Sequence, residues 1–134
     1  MRGFLIGLSL LIGLVGCAAP RLVDEMPVGR GPEVRVSVDF SVCFRNDEAL
    51  REHYSKHGQE FGEITRAEYL FMAQELRDTE ADGKSVLVAY RPDGIVSKYD
   101  RRDGEFLAYN RNKVIRTFFK PGDGERYFNR QRGR

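Results

Sequence analysis

Residues 86–120 read VLVAYRPDGIVSKYDRRDGEFLAYNRNKVIRTFFK, and this stretch decides the fold. Four segments rich in Val, Ile, Tyr and Phe, at Val86–Arg91, Ile95–Asp100, Phe106–Asn110 and Val114–Lys120, are read as strands. Between them stand Pro92-Asp93-Gly94, Arg101-Arg102-Asp103-Gly104 and Asn112-Lys113, and Pro121-Gly122 follows the last. Connections this short favour an antiparallel meander.

Two helices are expected before the meander. Thr65-Arg66-Ala67-Glu68 is a capping box, followed by an apolar stripe at Tyr69, Met72, Ala73 and Leu76 that fades into the polar run Asp78–Lys84. Upstream, Asn46 and Asp47 offer an N-cap to a helix over Glu48–His57, with Leu50, His53, Tyr54 and His57 on one face. Gly58 is placed for a left-handed residue closing that helix. Still earlier, Val34–Phe44 alternates throughout, which predicts a half-buried strand. The expected fold is α+β: two N-terminal helices packed on a four-stranded antiparallel meander, with an additional N-terminal strand, in one domain over 34–134.

The N-terminus reads differently. Arg2, the apolar run Phe4–Val15 and the small residues after it describe an export signal over 1–16, too short for the roughly 20 residues that span a bilayer. Its ending, Leu14-Val15-Gly16-Cys17, resembles the lipobox of bacterial lipoproteins. That resemblance implies a lipid on Cys17, a tether over 17–33 rich in Pro and Gly, and an exported, envelope-anchored protein. Ala18 after the cysteine goes with outer-membrane sorting. With Cys17 lipidated, Cys43 is expected to be a buried, inert thiol.

Charge is uneven. Residues 101–134 hold ten Lys/Arg against four Asp/Glu. A basic C-terminal third suits a polyanion, and it equally suits a solvated face with an Arg-rich tail.

Chemistry near neutral pH points to histidine, and His53 and His57 are the two in the chain. Four residues apart on a helix, they share a face, and either a structural role or proton transfer fits them. A metal site would need a carboxylate such as Glu52, Glu60 or Glu63, at spacings that match no metal motif, so no metal or cofactor is expected. The last strand supplies cations. Unbroken alternation places Ile115, Thr117 and Phe119 on one face, and Arg116, Phe118 and Lys120 on the other. Arg116 and Lys120 on one face suit phosphate, or simply solubility. Thr117 stands among apolar neighbours, where a hydroxyl wants a partner or a task.

The run His-x-x-Lys-His-Gly-x-Glu-Phe-Gly at 53–62, then Glu68-Tyr69-Leu70, Tyr99-Asp100, Ile115–Pro121 and Tyr127-Phe128, resembles C-terminal toxin domains of polymorphic bacterial toxins and phage-associated proteins. These are similar to the barnase–EndoU–colicin–RelE superfamily of metal-independent ribonucleases, and the match spans Leu50 to Phe128. The resemblance implies RNA, tRNA included, as substrate and a cognate immunity protein as partner. It assigns His57 as base or acid, Arg116 as charge stabiliser and Thr117 as a phosphate or proton-network contact. Lys98 and Lys120 would bind backbone phosphate, Tyr127 would stack on a base or donate its hydroxyl, and His53 would pack beside His57 or exchange roles with it. The export signal departs from that pattern. It fits a second expectation better, a non-catalytic envelope lipoprotein that binds a protein or an envelope polymer.

Overall fold

The structure, a computed structural model, describes residues 37–133. The expected export signal, the tether with Cys17, and residues 34–36 of the expected N-terminal strand lie outside the described residues.

The meander forms as the turn spacing predicts. β1 (Val86–Tyr90), β2 (Ile95–Asp100), β3 (Glu105–Asn110) and β4 (Ile115–Phe119) pair antiparallel in sequence order. Gly94 and Gly104 close the first two turns at φ +81° and +71°, where a side chain would be strained. Before the sheet, α1 (Asp47–His57) is opened by Asn46, whose Oδ1 accepts the Ala49 N–H at 2.8 Å. α2 (Arg66–Asp78) is opened by the capping box, with Thr65 N–H donating to Glu68 Oε2 at 2.6 Å and Glu68 N–H to Thr65 Oγ1 at 3.2 Å. Both helices cover one face of the sheet. Leu50, Tyr69, Ala73 and Leu76 bury there against Val86, Leu107, Ile115 and Phe118, the larger of two cores. Each large apolar side chain so buried stabilises by roughly 1.5–3 kcal/mol.

Three features depart from the sequence reading. First, the Arg-rich C-terminus is not a loose tail but α3 (Glu125–Arg132), with Glu125 in its first turn and Arg130 and Arg132 in its last, the order the helix dipole favours. Phe128, 1% exposed, joins Ala89, Tyr99, Phe106 and Ala108 in a second core on the opposite face. The sheet is therefore covered on both sides. Second, Gly58 is right-handed at φ −55° and starts a 3-10 turn (Gly58–Phe61), while the left-handed residue is Gly62 at φ +88°. Glycine is needed at 58 for space, since a Cβ there would lie 2.7 Å from the Tyr54 ring. Third, β4 is bulged. Thr117 pairs with Ala108 but Ile115 pairs with Tyr109, so Arg116 is the extra residue opposite one step of β3. The bulge re-phases the strand: Ile115 and Phe118 now share the α1–α2 face, and Phe119 packs in the α3-side core.

The segment before α1 is irregular. Within 37–44 one residue bridges to the sheet, Phe44 beside Ile115 in parallel. Phe40 stacks on Phe71 at the surface instead of entering the core. The end of α2 supplies the hydrogen bonds that a ladder would have made. Arg77 donates to the Asp39 and Val42 carbonyls, each at 2.6 Å, Gln74 donates to the Val42 carbonyl at 3.0 Å, and Asp78 accepts the Asp39 N–H at 2.8 Å. Cys43 is half-buried and held in a disulfide, so the expected inert thiol is corrected.

Candidate functional site

The residues singled out from sequence fall in two neighbouring places. The first is the junction of α1 with the end of β4. The 3-10 turn folds the chain back so that Glu60 meets His57, with Oε1 at 2.8 Å from Nδ1. Its other oxygen accepts the Lys120 backbone N–H at 2.7 Å, tying the pair to the sheet. The His57 ring lies on Phe119, centroids 5.1 Å apart, and its side chain is one-fifth exposed. A carboxylate on Nδ1 fixes the ring and leaves Nε2 as the lone-pair nitrogen of the neutral form. His53 sits behind, between Phe44 at 5.2 Å and His57 at 6.2 Å, its Nδ1 buried without a partner. Burial, then the neighbouring His57, pushes its imidazole below the usual histidine range. It supports the ring next to it and is poorly placed to exchange protons.

Lys120 belongs to this junction but not to the face of Arg116. Its Nζ lies over the Phe61 ring at 5.1 Å and 3.9 Å from Glu105 Oε1. Burial pushes the Glu105 carboxyl up to about 7, despite the opposing pull of Lys120. A carboxyl raised on folding binds its proton more tightly in the native state, so stability falls as pH rises from the unfolded value of about 4.3 through the folded one. Glu105→Gln should therefore match wild type near pH 4 and be more stable at pH 8, by up to about 3 kcal/mol. Urea midpoints at the two pH values check this.

The second place is a pocket of about 440 Å³ on the α3 side of the sheet. Arg91, Asp93, Arg116, Thr117, Tyr127 and Gln131 supply its polar groups, over a floor that includes Ile95, Phe106 and Ala108. The bulge corrects the expected faces: Arg116 and Thr117 open into one pocket, and Lys120 faces away from it. Arg116 reaches Asn110 Oδ1 at 3.3 Å, and Arg91 Nη2 reaches Asp93 at 2.7 Å. Tyr127 stands edge-on to Phe119 at 5.2 Å, so an aromatic path of Tyr127 and Phe119 links the pocket to the His57 ring. Arg91, Asp93 and Gln131 were not legible as site residues, because a turn and a helix bring them there.

Lys98 is elsewhere. It is 6% exposed on the α1–α2 side, and its ammonium donates to the Leu76, Arg77 and Thr79 carbonyls that end α2, at 3.3 and 2.6 Å for the first two. Burial lowers its pKa to about 8. All its donors are engaged, so it closes a helix and is not free to hold phosphate. Lys98→Met should cost about 1–3 kcal/mol in thermal or urea unfolding through the stranded carbonyls, and leave RNA affinity unchanged.

Among the described residues, no three His, Cys, Asp or Glu stand close enough to hold a metal ion, and no helix is long and apolar enough to cross a membrane. No known protein family matches the chain, and no curated protein matches it.

Proposed function

We propose that the domain cleaves RNA by metal-independent phosphodiester transfer, with His57 as the proton-transfer group. The observation that carries this reading is the His57–Glu60 pair, a partly exposed histidine oriented at Nδ1, in a chain whose last third is basic. In this mechanism Nε2 takes the proton of a 2′-hydroxyl and the 2′-oxygen bonds to phosphorus. The bond to the 5′-oxygen breaks and solvent returns a proton to it, leaving a 2′,3′-cyclic phosphate and a 5′-hydroxyl. Arg116 and Thr117 hold a flanking part of the strand, about 7–10 Å along β4 from the Phe119 that carries the His57 ring. The partners in this reading are RNA, tRNA included, and a cognate immunity protein. The test incubates the folded full chain in detergent with total RNA in EDTA and analyses fragment ends. Cyclic-phosphate ends are expected, and intact RNA overturns the reading.

One observation favours the second reading, a non-catalytic envelope lipoprotein. His57 does not line the pocket that holds Arg116 and Thr117, and its immediate polar partner is a carboxylate. Both readings share the anchor: a lipid on Cys17 and an outer-membrane location. Labelled palmitate should enter the wild-type chain in a bacterial host and fail to enter Cys17→Ser.

A further inference from the structure

The pocket on the α3 side is built more closely than a contact with a flanking strand requires. Ala89, Ser97, Ala108 and Thr117 stand side by side across the four strands, a row of short side chains between larger neighbours. The last two of the row line the pocket. The bulge then turns Arg116 to the same opening as Thr117, where an unbroken strand would have sent them to opposite faces. Opposite them is Arg91, whose Nη2 is held by Asp93 while its Nε is buried and donates to nothing. Two guanidiniums against one carboxylate leave a net positive opening. No hydrogen bond ties the Thr117 hydroxyl or the Gln131 side-chain amide to another described residue, although Gln131 is 8% exposed. Buried and without a partner are the Arg91 Nε and the Ser97 Oγ, where polar groups normally have partners.

We propose that this pocket binds a phosphate ester carried on a small organic body, at a site separate from His57. The guanidinium of Arg116, with Arg91 across the opening, meets the phosphate charge. Thr117 and Gln131 complete its hydrogen bonds. Ile95, Phe106 and the Tyr127 ring would stay wet under a bare phosphate, so the body is needed to cover them, and 440 Å³ is room for one. A nucleotide unit and a phospholipid headgroup both present this chemistry.

The test is calorimetric titration of the full chain, in a detergent without phosphate, with uridine 3′-monophosphate, glycerol 3-phosphate and inorganic phosphate. At least one ester should bind about 10-fold or more tightly than inorganic phosphate. Arg116→Gln should weaken that binding about 10-fold or more, and Thr117→Val about 5-fold. His57→Ala should retain wild-type affinity, with circular dichroism verifying that each variant is folded. Preference for the nucleotide identifies nucleic acid as the source, and preference for glycerol phosphate identifies lipid. The proposal is overturned if neither ester binds, if inorganic phosphate binds as tightly, if Arg116→Gln has no effect, or if His57→Ala abolishes binding. No cleavage is measured, so failure of pocket binding here and failure of RNA cleavage in the assay above are read separately.

Discussion

Arg77→Met should destabilise the protein by about 3–5 kcal/mol, seen as a lower urea midpoint. That is a large part of the roughly 5–15 kcal/mol that holds a domain of this size together. The side chain is fully buried and paired with Asp78 at 2.6 Å, itself 5% exposed at its side chain. Methionine keeps the stem and removes every donor. The Asp39 and Val42 carbonyls lose their guanidinium partner, and the Asp78 carboxylate keeps the Asp39 N–H and Lys113 at 3.4 Å. The pH dependence should change as well. Burial pushes the Asp78 carboxyl up, but the Arg77 hydrogen bond, the Asp39 N–H and the charges of Arg77 and Lys113 outweigh it and hold the group below its usual range. A depressed carboxyl adds stability above its unfolded value of about 3.9, lost as pH falls through the folded one. Arg77→Met should flatten that acid limb. Arg77→Met with Asp78→Leu should recover only part of the loss, because the Asp39 carbonyl still lacks a donor and the Val42 carbonyl keeps only Gln74.

His57→Ala should lower RNA cleavage by about 10²–10⁴-fold, the usual worth of a positioned acid–base group, with the urea midpoint little changed. The ring is partly exposed over Phe119 and no main-chain hydrogen bond depends on it. Glu60→Gln should lower the rate less, because the amide can still accept from Nδ1. It should also loosen the Lys120 end of β4, whose backbone N–H the carboxylate holds. A loss with Glu60→Gln as large as with His57→Ala would make Glu60 more than a positioning residue.

Much of the architecture was legible because local chemistry dictates it. The Asn46 cap, the Thr65–Glu68 box and the Asp-Gly turns act within a few residues, and each forms as read. What escaped depends on distant partners. The β4 bulge is set by pairing with Ala108 and Tyr109, so alternation along the strand put Arg116 beside Lys120 when the fold puts it beside Thr117. α3 was hidden by its charge, although Tyr127, Phe128 and Gln131 at one- and four-residue spacing, with Glu125 early and Arg132 late, were the available signal. Lys98 was assigned to phosphate through the resemblance, which does not say what lies over the strand. Only the end of α2, about twenty residues upstream, explains why an ammonium is buried there.

The same division runs through the site. The His57–Glu60 pair lies within one turn of chain and could be anticipated from the spacing. The pocket takes groups from the β1–β2 turn, the bulge and α3, and no single stretch of sequence contains it. Of the cations assigned beside His57 from sequence, Arg116 lines that pocket, Lys120 stays at the His57 junction and Lys98 closes α2.

The most direct test of His57 as the proton-transfer group is made inside a bacterial cell. The chain without residues 1–16 is expressed in the cytoplasm, wild type beside His57→Ala at equal soluble levels, and growth and RNA integrity are followed together. Growth arrest with fragmented RNA in wild type alone is the expected result. Normal growth with folded wild-type protein and intact RNA, or equal arrest with His57→Ala, would contradict it.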